Sequence, residues 1–176
     1  MQEFLTDIKT IRTRARQKID DGAVTASYQA DREKVVAVLN EVLATEIVCT
    51  LRYKRHYYTA EGIHAEAVKA EFLQHAKEEQ AHADAVATRI TQLNGEPDFD
   101  PAGLVSRSHA EYSEGETIAD MLKEDLVAER IAIETYSEIV RWLGDKDVTT
   151  RRLIEEILEK EEEHAEDLSS LLARVK

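Results

Sequence analysis

The 176-residue chain has the length of one ordinary domain, with a hydrophobic content of 43% that is enough for a core. Charged residues at 34% with 2 Pro and 6 Gly point to long solvated helices, and aromatics at 6% are too sparse for a β-sandwich. A net charge of −13 works against nucleic-acid binding by the bulk surface and instead concentrates cations around it.

The N-terminus, Met1-Gln2-Glu3-Phe4-Leu5, shows no basic region followed by an apolar run, so no secretory leader is read. No apolar stretch approaches the ~20 residues that span a bilayer. A lone cysteine, Cys49, excludes an intrachain disulfide and suits a reducing compartment. Together these predict a cytoplasmic protein with no membrane partner.

Residues 3–18 read as a short amphipathic helix, with Ile8, Ile11 and Ala15 on one face and Lys9, Arg12, Arg14, Arg16 and Lys18 supplying positive charge. Asp20-Asp21-Gly22 breaks it. Helix A is predicted over 31–60, with Val35, Leu39, Val42, Leu43, Cys49 and Tyr53 as its apolar stripe. After the turn Glu61-Gly62, helix B covers 64–93, with Phe72, Val86, Ile90 and Leu93 inward, and Asn94-Gly95-Glu96-Pro97 stops it. A connection over 94–114 follows, with room for a short helix within 101–112. Helix C is predicted over 116–143 with Leu122, Leu126, Ile133, Tyr136 and Val140 in register, and helix D from 147 onward with Ile154, Ile157, Leu168 and Leu171 inward. Short, long and short connections describe two antiparallel hairpins joined by one crossover. The reading is an all-α four-helix bundle over 31–176, preceded by an N-terminal helical extension over 1–30.

One pattern occurs twice. Glu46 is followed 33 residues later by Glu79-Gln80-Ala81-His82, and Glu129 is followed 32 residues later by Glu161-Glu162-Glu163-His164. All six candidate ligands, Glu46, Glu79, His82, Glu129, Glu161 and His164, fall on apolar stripes: Glu46 lies 4 residues after Val42, and Glu129 lies 4 before Ile133. Each His is one turn beyond its Glu, on the same face. Burying one unpaired carboxylate costs several kcal/mol. Four of them facing each other demand a counter-charge, and two divalent cations provide it. Carboxylate oxygen with imidazole suits iron, manganese or zinc. The competing explanation is chance, since Glu-rich helices generate Glu-x-x-His freely; matched spacing in two copies weighs against it.

Other positions have two readings each. Tyr53 and Tyr136, each 7 residues after a lone Glu, either approach the site or are plain core. His75 is either a neighbour of the site or a partly buried polar residue. Asp125 either accepts from a ligating His or lies on the helix surface. Cys49 reads as a small buried hydrophobe, and His56, His64 and His109 as surface or loop residues.

The segments Glu78-Glu79-Gln80-Ala81-His82-Ala83-Asp84, Asp125-Leu126-Val127-Ala128-Glu129-Arg130 and Glu156 to His164 resemble the ferritin-like superfamily. The resemblance is to bacterioferritins and to Dps-like proteins with a bacterioferritin-type centre. It covers about 31–172 and implies a ferritin-like bundle with one long B–C crossover. It further implies a dinuclear iron centre in which Glu79 and Glu161 bridge, Glu46 with His82 completes one metal and Glu129 with His164 the other. The implied activity is oxidation of Fe(II) by O2 or H2O2, with Fe(III) stored in a protein shell. Tyr53 stands where bacterioferritins carry a redox-active tyrosine. Gln80 stands where they carry the haem-binding Met, and Met1 and Met121 are the chain's methionines, so no haem is expected. With 12 residues after His164 there is no room for a fifth helix, and the crossover resembles that of Dps-like shells. The expectation is a homo-oligomeric shell of twelve copies. The net charge of −13 argues against DNA as a partner, leaving Lys9–Lys18 as the one basic segment that would serve. The alternatives are a di-iron or di-manganese peroxidase of rubrerythrin or catalase type, though one cysteine cannot build a rubredoxin module, and a non-catalytic DNA-protecting helical oligomer.

Overall fold

The structure, a computed structural model, describes residues 6–62 and 65–175. Among the described residues six α-helices follow in chain order: α1 Ile8–Arg14, α2 Arg32–Thr59, α3 Ala65–Gln92, α4 Leu104–Arg107, α5 Ile118–Leu143 and α6 Val148–Val175. Short 3-10 turns occupy Ile19–Asp21 and Pro101–Gly103. No strand occurs among the described residues, and none of their helices is long and apolar enough to cross a membrane. Helices α2, α3, α5 and α6 are the expected helices A to D.

The helix ends are specified locally. Asp31 caps α2 by accepting from the Lys34 amide, and Thr117 with Asp120 forms a reciprocal capping box on α5. Asp147 accepts from the Thr150 amide at 2.9 Å in the first turn of α6. Gly144, with φ of 50°, ends α5 in a conformation that a Cβ would strain. Each long helix of 28 residues runs about 42 Å. The pairs α2–α3 and α5–α6 are antiparallel hairpins, as the short links require.

The crossover lies along α2 and is held by a line of polar side chains. Asn40 Nδ2 donates to the Glu96 carbonyl and its Oδ1 accepts from the Asp98 amide. Thr45 Oγ1 accepts from the His109 amide, and Arg52 Nη1 donates to the Glu111 carbonyl at 3.0 Å. His56 Nε2 meets the Ser113 carbonyl at 3.1 Å. Between these points Leu104 packs on Ala44 and Val48, and Ala110 on Cys49 and Ala128.

Some expectations change. The helix expected over 3–18 is limited to Ile8–Arg14 among the described residues, and residues 1–5 lie outside them. It buries nothing: Ile8 is 56% and Ile11 44% exposed, and left-handed Lys18 (φ 48°) precedes the next turn. The apolar stripe of α5 is rotated from the expected one. Leu126, Ile133 and Val140 are half-buried, whereas Asp125, Ala128, Ala132, Ile139 and Leu143 face inward with Leu122 and Tyr136. Small and polar residues fill that stripe, so hydrophobicity alone misplaced it. His56 is fully buried rather than on the surface, Asp125 is equally buried, and His64 lies outside the described residues.

Asp125 accepts from Arg52 Nε at 2.7 Å and faces His56 Nδ1 at 2.8 Å, so its partners are not metal-ligand histidines. Removing one partner of such a pair strands a buried charge. Replacing Asp125 with Ala is therefore expected to lower unfolding free energy by about 3–5 kcal/mol. Urea titration of the metal-free protein checks this; a loss below about 1 kcal/mol would mean that Arg52 finds another partner.

Candidate metal centre

A polar layer divides the bundle interior. On one side, Leu39, Val42, Val86, Ile90, Ile139, Leu143, Ile154 and Ile157 form one apolar cluster; on the other, Phe72, Val68, Leu122, Met121 and Leu168 form a second. Between them lie Glu46, Glu79, Glu129 and Glu161, each no more than 1% exposed. His164 is as deeply buried, and His82 is 12% exposed at its side chain.

The six predicted residues come together as two overlapping sets. One ligand atom from each of Glu46, Glu79, His82 and Glu161 lies within 4.8 Å of the others, and the same holds for Glu79, Glu129, Glu161 and His164. Glu79 and Glu161 belong to both sets. Both histidines aim Nδ1 inward. His82 Nδ1 is 3.2 Å from both Glu46 Oε2 and Glu161 Oε1, and His164 Nδ1 is 3.1 Å from Glu79 Oε1.

Two tyrosines bind the two halves crosswise. Tyr53 on α2 donates to Glu129 on α5, and Tyr136 on α5 donates to Glu46 on α2. Around the ligands, the contact of Glu78 and the burial of Arg52 and His56 went unread in the sequence, whereas His75 takes the first of its two readings. Glu78 lies 2.7 Å from His164 Nε2 and fixes that ring. The His75 ring stacks on His164 with centroids 3.9 Å apart, and its Nδ1 meets the Tyr53 hydroxyl at 3.2 Å. Arg52 and His56 bolt α2 to α5 beneath the site through Asp125. A spacing signal existed for His56, which continues the stripe Cys49, Tyr53 by one turn; for Glu78, lying beside a ligand position, there was none.

The four buried carboxylates act strongly on one another. Burial pushes Glu79 well above the usual carboxylate range, and Glu161, Glu46 and Glu129 add to the shift. Burial and the neighbouring Glu161 do the same to Glu129, and burial with Glu46 raises Glu161. Burial would also raise Glu46, but hydrogen bonding and attraction to His82 bring it below its ordinary value. For His82, burial opposes charge, yet the facing carboxylates of Glu161 and Glu46 lift it to about 10. Burial, then repulsion from His164, lowers His75 to about 3.

The donor set can be tested for fit to two cations. Glu79 Oε1, Glu129 Oε2, both oxygens of Glu161 and His164 Nδ1 are buried without a hydrogen-bond partner. Such atoms are costly unless something satisfies them. Every one of them points into the two overlapping sets. Four carboxylates balance two divalent cations, and imidazole nitrogen with carboxylate oxygen suits first-row transition metals.

Comparison with known proteins follows the same line. Residues 36–176 match the Ferritin family, described as the ferritin-like domain. The chain is 35% identical over 146 residues to the DNA protection during starvation protein of Pyrococcus furiosus, covering 81% of this chain and 78% of that one. A dodecameric thioferritin, the bacterioferritin-related protein of Bacteroides fragilis, superposes with a TM-score of 0.80 at 32% identity, covering 84% of this chain and 89% of that one. The bacterioferritin of Desulfovibrio desulfuricans, known with its diiron site in different catalytic states, superposes with a TM-score of 0.72 at 26% identity, covering 82% and 81%.

Proposed function

The chain belongs to the ferritin-like family, and from that premise we propose that it oxidises Fe(II) at the buried carboxylate–histidine centre and stores Fe(III) in a shell of its own copies. The observation that carries the reading is the pair of four-residue sets sharing Glu79 and Glu161. Glu79 and Glu161 would be shared by two ions, with Glu46 and His82 helping to hold one and Glu129 and His164 the other. Iron held there supplies one electron per Fe(II) to dioxygen or hydrogen peroxide.

The protein's own contribution is positional. Glu78 accepts from His164 Nε2, which leaves Nδ1 free to ligate. Tyr53 and Tyr136 occupy one oxygen each of Glu129 and Glu46, which leaves Glu129 Oε2 without a partner and Glu46 Oε2 facing His82 Nδ1, where both would be available to metal. The apolar layers above and below exclude bulk water and strengthen every charge interaction inside. The likeness to a dodecameric relative supports a shell of twelve copies, and the −13 charge raises Fe(II) concentration around it.

Aerobic titration with Fe(II) tests the reading. The protein is expected to hold far more than two iron atoms per chain and, at 20.0 kDa per chain, to scatter light as a particle of about 240 kDa. Iron fixed at two per chain with sustained peroxide turnover would replace storage by a peroxidase function. A mass near twice that value, or that of a monomer or dimer, would rule out the twelve-copy shell.

A further inference from the structure

Helix α1 leaves an apolar stripe uncovered. Ile8 and Ile11 lie one turn apart on one face and Ala15 continues it, while Lys9, Arg12 and Arg16 form the neighbouring stripe at the same spacing. Ile8, Ile11 and Ala15 are all exposed, and the helix buries none of its residues. Asp7 caps its first turn, but seven residues fall far short of the ~12–15 that hold as an isolated helix in water. Such a helix persists where another surface covers its apolar side.

A groove of matching character lies elsewhere on the bundle. Between α2 and α5, Val38, Ile139 and Trp142 line a cavity of about 340 Å³ that also meets Glu41 and Glu138. Ile139 is buried and Val38 half-buried, but Trp142 keeps 41% of its surface exposed, and both glutamates are exposed. The groove is thus apolar within and acidic at its edges, the complement of a helix with one apolar stripe and one basic stripe. The α1 of the same chain does not fill it. That helix borders Thr25 and Ser27 instead. The segment behind it is pinned at the other two long helices: the Asp21 carbonyl accepts from Asn94 Nδ2 at 3.1 Å just past α3, and Tyr28 donates to Asp147 at 2.9 Å just ahead of α6.

We infer that α1 docks in the α2–α5 groove of a second copy of the chain. Ile8 and Ile11 cover Val38, Ile139 and Trp142, while Lys9 and Arg12 face Glu41 and Glu138. A basic side chain over the indole adds attraction between cation and ring. Each docking sets the basic stripe of one copy against an acidic rim of the next, which offsets part of the repulsion between copies of net charge −13. The contact uses no residue of the paired centre and rests on the proposed function only in requiring that copies assemble.

Trp142 is the chain's single tryptophan, so its fluorescence reads the groove alone. In the assembled full-length protein, the variant Ile8→Asp, Ile11→Asp is expected to raise acrylamide quenching of Trp142 roughly twofold, because the contacts that exclude water from the indole are gone. The variant Glu41→Lys, Glu138→Lys should do the same. Adding Lys9→Glu, Arg12→Glu to it should restore the parent value, a rescue that general damage to the fold would not give. Co-expression of Trp142→Phe copies that keep α1 with Ile8→Asp, Ile11→Asp copies that keep Trp142 separates a neighbour's helix from the chain's own. Protection of Trp142 is expected to return in proportion to the intact helices supplied. Failure to return, or protection of Trp142 in a monomer, would overturn the inference. So would gel shifts in which the α1 variants lose nucleic acid while Trp142 quenching stays unchanged. Equal quenching in an assembled parent and an assembled Ile8→Asp, Ile11→Asp variant would remove the docking and leave the proposed shell standing, whereas a parent that is monomeric at every concentration would remove both.

Discussion

Replacing Glu161 with Ala is expected to slow aerobic Fe(II) oxidation by more than ~100-fold, beyond the range usual for residues that merely orient a ligand. Glu161 is shared by both ligand sets, and both of its oxygens are buried without a partner. Its removal takes one contact from each metal at once and leaves a void between the two apolar layers. Glu79→Ala should behave alike, because Glu79 is the other shared residue. Tyr53→Phe should cost far less, about 10-fold, since it removes a hydrogen bond to ligand Glu129 and no ligand. Stopped-flow absorbance of Fe(III) formation measures all three. A Glu161→Ala protein as fast as the parent would disprove the site as drawn.

The second large effect is thermodynamic. Metal-free protein should be least stable at high pH and metal-loaded protein most stabilised there. The sign follows from the direction of each shift. Glu79, Glu129 and Glu161 have folded values above their ordinary ones, so they keep protons that the unfolded chain releases above about pH 4.5. His82, lifted to about 10, does the same above its unfolded value near 6.5. The folded state thus binds more protons than the unfolded one, and stability falls as pH rises. Glu46 and His75 oppose this with lowered values, but their contributions are complete above their unfolded values, near 4.5 and 6.5, and leave the fall toward high pH to the raised groups. Metal reverses the slope, because cations replace those protons and bind better as protons leave. At a thousandfold excess over Kd one site adds about 4 kcal/mol, which for a chain of this length corresponds to roughly 8–16 °C in Tm. Zn(II), inert to oxygen, isolates the effect: the gap in Tm between loaded and metal-free protein should widen from pH 6 to pH 8. A gap that narrows over that range would mean that the carboxylates are ionised before metal arrives.

Much of this was legible beforehand, and for a physical reason. Helical period and a Glu-x-x-His spacing are local, so Glu46, Glu79, His82, Glu129, Glu161 and His164 could be placed on inward faces without knowing the tertiary structure, and the structure brings them together. The hairpins followed from the turns at Glu61-Gly62 and Gly144-Asp145. What escaped was polar burial. Arg52, His56 and Asp125 are buried because they satisfy one another across 73 and 69 residues, and no local pattern announces such a match. The same blindness shifted the stripe of α5, where Asp125 and Ala128 occupy places given to Leu126 and Ile133. The short α1 ends sooner than its helical period predicts, because its apolar residues have no partner to cover them.

The polar strap along α2 decides something that the apolar core leaves open. Two antiparallel hairpins with aliphatic inner faces can dock in either of two mirror-related orders, and leucine, valine and isoleucine fill both about equally well. Asn40, Thr45, Arg52 and His56 accept the crossover along one flank of α2 only, ending at Asp125 of α5. In the opposite order these groups would be desolvated without partners, at a cost of ~1–3 kcal/mol for each neutral group and more for the charged ones. The flank on which the crossover lies is thus written in hydrogen bonds rather than in the bundle's oil.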